Sequence, residues 1–234
     1  MPKRIGLIGG TVFYHKDFFE KAEKKIIETN FGPALVALTE QIAYVPRHGI
    51  DGGKYILPHK INYQANLAVL KTLDVEEVIG VNSTGSLKMS LAPGTVVLPH
   101  DYICLTGIPT TAEDESLHII PMLSEEVRSK LEKAATAAEV KLIDRAIYWE
   151  TPGPRLETRA EISLIANFAD LVGMTMASEA TIAQELKIDY ASLCSVDNYA
   201  HGLSETPLSE GEIRASAAAN AEKIFSIIKA YLNL

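Results

Sequence analysis

The sequence predicts an α/β fold, a single domain with a central mixed, largely parallel β-sheet flanked by helices. Short apolar runs that end at Gly, Pro, Asn or Asp alternate along the chain with longer segments of helical periodicity. No repeat, low-complexity tract or Ser/Gly linker interrupts this alternation. The 234 residues, of which 47% are hydrophobic, are enough for one sizeable core. We therefore expect one domain that spans residues 1–234.

Six apolar runs, rich in β-branched residues, are the predicted strands. They are I-G-L-I (5–8), A-L-V-A-L (34–38), E-V-I-G-V (77–81), G-T-V-V-L (94–98), D-L-V-G-M (170–174) and Y-A-S-L-C-S-V (190–196). Helical spacing predicts helices over residues 60–73, 124–139, 178–186 and 209–232. Ser124 and Ser178 are each followed by Glu, which is typical of a helix N-cap and first turn.

The composition argues against several classes of function. A formal net charge of −8 disfavours a nucleic-acid or anionic-membrane surface, because both need clustered positive charge. Cys104 and Cys194 lie far apart, so we expect two reduced thiols and neither a disulfide framework nor a zinc site. No apolar run approaches the roughly 20 residues that span a bilayer, and the N-terminal run is short for a signal peptide. We expect a cytoplasmic protein.

In open α/β sheets, ligands bind outside the carboxyl ends of the strands, so the residues that follow the apolar runs are the informative ones. Gly9 to Thr11 follow the first run, where G-G-T suits either a tight turn or an anion-binding loop. After the second or third strand, Arg47 can clamp two oxygens of a phosphate and His48 can add a donor. An ordinary surface Arg and a loop His are the alternative.

Three further strand ends carry candidate ligand-binding groups. The small residues of N-S-T-G-S-L (82–87) suit a backbone that approaches a ligand closely, or a plain turn. Glu157 follows T-P-G-P-R-L and could accept an N–H from a ligand or simply favour the helix dipole. Met174 and Thr175 precede a predicted helix, whose N-terminus offers positive potential to an anion.

The run C-S-V-D-N-Y-A-H-G (194–202) ends a predicted buried strand with polar side chains. The Asn198 amide can donate and accept hydrogen bonds in one plane, which suits the edge of a flat ligand. Asn198 could equally cap the turn into residues 199–202.

Together these segments resemble the trimeric purine nucleoside phosphorylase family, in particular its branch that acts on 5′-methylthio nucleosides. The matching segments are I-G-L-I-G-G-T, R-H-G, L-P-H-K-I-N-Y-Q-A-N, S-T-G-S-L, G-P-R-L-E-T-R-A-E, V-G-M-T-M-A-S-E-A and V-D-N-Y-A-H-G. They cover most of the chain in the family's order. The resemblance implies reversible phosphorolysis of an N-glycosidic bond, a homotrimer, and no metal or organic cofactor, with inorganic phosphate as a co-substrate.

The resemblance also implies a role for each candidate residue. Asn198 would be the catalytic group that faces N7 and the 6-position of the purine, while Glu157 takes the N1 proton and Met174 lies under the ribose. The phosphate-binding set would be Thr11, Arg47, His48, Thr175 and the backbone around Asn82 and Ser83. The substrate-binding set would be Leu156, Glu157, Met174, Asn198, Tyr199 and Ala200.

Two departures within the family predict the substrate. Relatives selective for 6-aminopurines carry acids at the positions of Asn198 and Ala200, so N-Y-A predicts a 6-oxopurine preference. Relatives that take ordinary nucleosides bind the 5′-hydroxyl with a His shortly before the last helix, and residues 203–213 contain none. A methylthio group, lined by Leu208 and Ile213, fits better. Methylthioinosine is the leading substrate.

Four alternatives stay open at this point. Within the family, the enzyme could be a general inosine or guanosine phosphorylase, or a methylthioadenosine phosphorylase. A nucleosidase would use water in place of phosphate and would lack the Arg47 clamp. A nucleoside-binding sensor would keep the pocket without turnover.

Overall fold

A computed structural model describes residues 4–10, 13, 22–49, 55–112, 117–204 and 210–234, apart from the side chains at positions 210, 212 and 214. Two residues named above, Thr11 and Leu208, lie outside the described residues. None of the helices in these ranges is long and apolar enough to cross a membrane.

One nine-stranded sheet runs through the described part of the chain. Its strands are β1 (Ile5–Gly9), β2 (Glu23–Thr29), β3 (Gly32–Leu38), β4 (Ile42–Pro46), β5 (Glu77–Ser86), β6 (Val96–Ile103), β7 (Leu142–Glu150), β8 (Leu171–Gly173) and β9 (Asp189–Tyr199). Their order is β2-β3-β4-β1-β5-β8-β7-β6-β9. Because β9 pairs with β5 as well as with β6, the strands β5, β8, β7, β6 and β9 form a closed ring of paired strands.

Five helices flank the sheet within the described ranges. They are α1 (Tyr63–Thr72), α2 (Glu125–Ala137), α3 (Arg159–Ile165), α4 (Met176–Glu185) and α5 (Glu210–Tyr231). One buried cluster packs α1 and α4 on one face of the sheet, and a second packs α2 and α5 on the other. The predicted α/β class with a mixed sheet is confirmed, and five of the nine pairings between described strands are parallel.

The predicted helix at 178–186 begins earlier than expected. Thr175 occupies the N-cap position of α4, so Ser178 is not a cap and lies buried in the first turn beside Glu179. The predicted cap at Ser124 is confirmed, because its hydroxyl oxygen accepts a hydrogen bond from the backbone of Val127.

Four parallel strands bring their carboxyl ends to one edge of the sheet. In the register, Gly9 of β1 lies beside Pro46 of β4 and Val81 of β5, and Ser83 of β5 lies beside Ser195 of β9. The loops and strand ends that follow these positions therefore meet in one place.

Candidate functional site

A cleft lies at this edge, and it collects most of the predicted site residues. Ten of them line it: Arg47, His48, Ser83, Leu156, Glu157, Met174, Thr175, Asn198, Ala200 and Ile213. The rest of the lining consists of Tyr55, Pro58, Thr84, Gly85, Val172, Gly173 and His201. Asn82 and Tyr199 do not line the cleft, and Thr11 lies outside the described residues.

Arg47 enters the cleft as one half of a buried ion pair. Its Nε and Nη2 donate to the two carboxylate oxygens of Glu179, and its Nη1 donates to the carbonyl of Val81 at 3.0 Å. Burial alone would lower the pKa of Arg47, but the adjacent Glu179 outweighs it and the pKa is raised. The guanidinium is therefore charged and held in a fixed orientation.

A tyrosine supports the carboxylate of this pair. The hydroxyl of Tyr190 donates to Oε2 of Glu179 at 2.8 Å. Its position depends on Gly80 of β5, because a Cβ at that glycine would stand 2.0 Å from the Tyr190 hydroxyl oxygen. Because Gly80 has no side chain, the Tyr190 hydroxyl can reach Glu179 and hold the carboxylate that pairs with Arg47.

His48 stacks on Tyr55, with ring centroids 4.6 Å apart. Its Nδ1 lies 2.7 Å from the carbonyl oxygen of Ile56, and since a carbonyl can only accept, Nδ1 carries the proton. Burial, followed by the charge of Arg47, lowers the pKa of His48 to about 4. The ring is neutral near pH 7, so its Nε2 is a hydrogen-bond acceptor and not the donor that the sequence suggested.

Thr175 is oriented by a chain of hydrogen bonds that runs across β5. Ser192 donates to the side-chain oxygen of Asn82 at 2.6 Å, and the Asn82 amide nitrogen donates to the Thr175 hydroxyl oxygen at 2.8 Å. Because Thr175 accepts this bond, its own O–H is left to donate to a ligand in the cleft. Asn82 thus acts on the cleft through Thr175.

The N-terminus of α4 is already occupied, which corrects the expectation that it offers positive potential to an anion. The carboxylate of Glu150 accepts hydrogen bonds from the backbone of Ala177 at 2.6 Å and of Ser178 at 3.2 Å. Tyr148 accepts those from Thr175 and Met176. Burial raises the pKa of Glu150 to about 7, although these hydrogen bonds oppose the rise. An anion in the cleft must be bound by side chains and other backbone groups.

Asn198 and Ala200 line the cleft beside Gly85, four residues along β5 from Val81, which contacts Arg47, and so form its other end. The Asn198 amide donates to the carbonyl of Tyr199 at 2.8 Å, which leaves its second N–H and its oxygen for a ligand. Gly85 lies beside it, and a Cβ there would stand 3.3 Å from the amide nitrogen. The side chain of Tyr199 turns away and donates to the carbonyl of Met89 at 3.2 Å.

Glu157 lies buried against the same end of the cleft. One of its carboxylate oxygens accepts from Thr151 at 2.6 Å, and its backbone carbonyl lies 3.1 Å from Nδ1 of His201. No other described group donates to this carboxylate, so one oxygen can accept an N–H from a ligand. The arrangement gives this end of the cleft both an acceptor and an amide.

Sequence reasoning missed several residues of the site, among them Glu179, Tyr55 and His201. Glu179, which pairs with Arg47, has the signal of an acid inside an otherwise apolar helical run. Tyr55 and His201 line the cleft from loops, where no periodicity marks them. In the described ranges, no group of three or more His, Cys, Asp or Glu side chains is placed to hold a metal ion.

This chain is similar in sequence to proteins named as nucleoside phosphorylases. A probable 6-oxopurine nucleoside phosphorylase of Archaeoglobus fulgidus is 40% identical over 230 residues, which cover 96% of this chain and 94% of that protein. A probable S-methyl-5′-thioinosine phosphorylase of Methanocaldococcus jannaschii is 35% identical over 240 residues, with 98% and 92% covered.

The fold also matches solved structures. A crystal structure of methylthioadenosine phosphorylase from an Antarctic soil metagenomic library superposes with a TM-score of 0.86 at 29% identity and covers 99% of this chain and 85% of that one. The family model of the phosphorylase superfamily matches residues 4–233. This chain is therefore a member of the phosphorylase superfamily.

Proposed function

We propose that this protein cleaves the N-glycosidic bond of a 6-oxopurine nucleoside with phosphate, giving a free base and a pentose 1-phosphate. The observation that carries the proposal is one cleft with two chemically different ends. Arg47 and Thr175 supply donors at one end, and Asn198 and Glu157 supply an amide and an acceptor at the other.

The reaction suits these residues. Cleavage leaves positive charge on the sugar and negative charge on the departing purine. Phosphate held by Arg47, Ser83 and Thr175 beneath the sugar opposes the first charge and makes attack nearly unimolecular. A hydrogen bond between the Asn198 side-chain oxygen and a proton on N7 relieves the second. The sugar chemistry is like that of glycosidases, with phosphate in place of a nucleophilic carboxylate, and no metal or organic cofactor takes part.

The preference for a 6-oxopurine rests on Asn198 and Ala200. An amide N–H can donate to a 6-oxo group, whereas a 6-amino group would meet that donor with another donor. Ala200 provides no carboxylate to accept from the amino group. The names of the Archaeoglobus and Methanocaldococcus relatives support the same base.

For the 5′ group, a methylthio substituent is proposed, so S-methyl-5′-thioinosine is the leading substrate. Ile213 of α5 presents an apolar side chain to the cleft, and Met174 lies nearby in the lining. The second candidate is a general inosine or guanosine phosphorylase, which the 6-oxopurine relative at 40% identity favours. A methylthioadenosine phosphorylase is the third alternative.

A panel of substrates tests the proposal. Methylthioinosine, methylthioadenosine, inosine, guanosine and adenosine are each assayed with phosphate, for the wild type and for Asn198→Asp. The wild type should prefer methylthioinosine, and Asn198→Asp should lose activity on 6-oxopurines while its Tm stays close to that of the wild type. Faster cleavage of methylthioadenosine, or unchanged 6-oxopurine turnover in the variant, would contradict the base assignment.

The proposed assembly is a homotrimer in the cytoplasm, as the family resemblance implies. Several large apolar side chains are exposed in the isolated chain, among them Leu105 at 79% and Ile120 at 77%. Where such side chains form one contiguous patch, they are typical of a protein interface. Light scattering of the purified protein would measure the oligomeric state directly.

A further inference from the structure

Asp197 is a buried carboxylate that neither the cleft nor the core explains. It is 2% exposed, immediately precedes Asn198, and does not line the cleft. Its Oδ1 accepts hydrogen bonds from Ser195 and, at 3.1 Å, from Asn220 of α5. Its Oδ2 has no hydrogen-bond partner among the described residues. Buried carboxylates without a full set of partners reduce stability, so such a residue is often retained for function.

The groups that act on this carboxyl are all neutral. They are the hydroxyls of Ser195 and Ser83 and the amide of Asn220, of which Ser83 lies near the carboxyl without a hydrogen bond to Oδ2. These groups only partly oppose the effect of burial, which raises the pKa of Asp197 to about 6. Ser83 lines the cleft, so Asp197 lies directly behind groups that face the ligand.

Asp197 also lies where the pairing register between β9 and β5 shifts by one residue. Thr84 of β5 pairs with Val196 of β9, but the next residue, Gly85, pairs with Asn198. Asp197 is therefore the extra residue of a β-bulge, a feature that re-aims side chains beside active sites. The shift brings Asn198 beside Gly85, the position where the absence of a side chain leaves room for the amide.

We propose that Asp197 is a positioning residue that sets the base preference: its carboxylate anchors the bulge of β9 against α5 and so holds the Asn198 amide in its reading position. This inference rests on the proposed function. Asn220 of α5 also holds the two residues that precede Asp197, because its amide nitrogen donates to Ser195 at 2.8 Å and to the carbonyl of Val196 at 3.1 Å. The same helix carries Ile213 into the cleft, so the anchor fixes both ends of the nucleoside relative to each other.

Two substitutions of Asp197 distinguish the effect of its hydrogen bonds from the effect of its charge. Asp197→Ala removes the acceptor for Ser195 and Asn220, so the bulge and the amide lose their fixed orientation. Asp197→Asn removes the charge but can keep an oxygen at the position of Oδ1. We expect the ratio of kcat/KM for methylthioinosine to that for methylthioadenosine to fall about tenfold or more in Asp197→Ala and to be largely retained in Asp197→Asn.

A matched control shows whether lost stability alone has this effect. Asp144→Asn removes one of the two charged partners of the buried Arg128, away from the cleft, and should lower Tm without changing the substrate ratio. If Asp197→Ala does not fold, Asn220→Ala removes only the α5 side of the anchor and should lower the ratio in the same direction.

Binding of the free bases gives a readout that does not depend on turnover. Calorimetry should show hypoxanthine losing affinity in Asp197→Ala by a larger factor than sulfate, because sulfate binds at the Arg47 end. A ratio unchanged in Asp197→Ala and Asn220→Ala would overturn the inference, and so would equal losses in Asp197→Ala and Asp197→Asn, which would point to charge. If the proposed function itself were wrong, the wild type would release no base or would release it without phosphate, whereas the variants' base affinities would still test Asp197.

Discussion

Both carboxylate oxygens of Glu179 accept hydrogen bonds from the guanidinium of Arg47, and both side chains are almost completely buried. The charge of Arg47 is therefore balanced before any phosphate arrives. The proposed anion site depends on the direction of its hydrogen-bond donors as much as on net charge.

This pair predicts the effect of Glu179→Gln. The substitution places an amide N–H against the guanidinium, so it should destabilise the protein by about 3 kcal/mol and misplace Arg47. We expect the KM for phosphate to rise by about tenfold or more, with a smaller change in the KM for nucleoside. Urea denaturation and initial rates measure the two effects. Asp144→Asn is the control, and an equal rise of the phosphate KM in that variant would contradict a specific role for Glu179.

Thr175→Val should weaken phosphate binding. Val keeps the shape of the side chain but lacks the hydroxyl whose O–H is left to donate to the ligand, and the loss of one hydrogen bond to a charged ligand corresponds to about 1.5 kcal/mol or more. Calorimetric titration with phosphate should show a rise in Kd of about tenfold or more. Thr72→Val, on the exposed surface of α1, should leave Kd unchanged. Wild-type affinity in Thr175→Val would remove the hydroxyl from the site.

The neutral His48 predicts a difference between two anions. With Nε2 as an acceptor, the site favours an anion that brings its own proton, as hydrogen phosphate does and sulfate does not. At pH 7.5, phosphate should bind more tightly than sulfate. The pKa of His48 is lowered to about 4, so the ring becomes protonated only as the pH falls towards 4. The difference between the affinities for phosphate and sulfate should become smaller over that fall in pH. His48→Gln, which always offers an N–H, should narrow it at every pH, and equal affinities in the wild type at pH 7.5 would contradict this tautomer.

Glu150 predicts a pH dependence of stability. Its pKa in the folded protein is raised to about 7, above its ordinary value of 4.5, so folding favours the protonated form. The ionised carboxylate lowers stability above pH 7, and this loss disappears as the pH falls from 8 towards 5. The Tm of the wild type minus that of Glu150→Gln should therefore increase as the pH is lowered from 8 to 5. A difference independent of pH would show that Glu150 stays ionised throughout.

The sequence predicts most of the fold because strand ends and helix periods are local signals. Three strands, β2, β4 and β7, were not predicted, and each has a physical reason. Residues of β2 (E-K-K-I-I-E-T) are mostly exposed at the sheet edge, so charges dominate their pattern. In β7, L-I-D-R-A-I-Y-W-E, buried and exposed positions mix without strict alternation. The short I-A-Y-V-P of β4 is completely buried and has no alternation at all.

The site was predictable mainly at and near the ends of strands. Arg47 follows β4 directly, Thr175 lies two residues after β8, and Asn198 is the next-to-last residue of β9. Partnerships between distant residues do not appear in local patterns, and those that matter here join Arg47 to Glu179 and Asp197 to Asn220. The protonation of His48 could not be predicted either, because it depends on the carbonyl of Ile56 across a loop.

Product analysis of methylthioinosine cleavage with and without phosphate distinguishes phosphorolysis from hydrolysis. We expect hypoxanthine to be released only when phosphate is present, and the sugar to appear as its 1-phosphate in equal amount. Hypoxanthine release at the same rate without phosphate, with free methylthioribose as the other product, would contradict it.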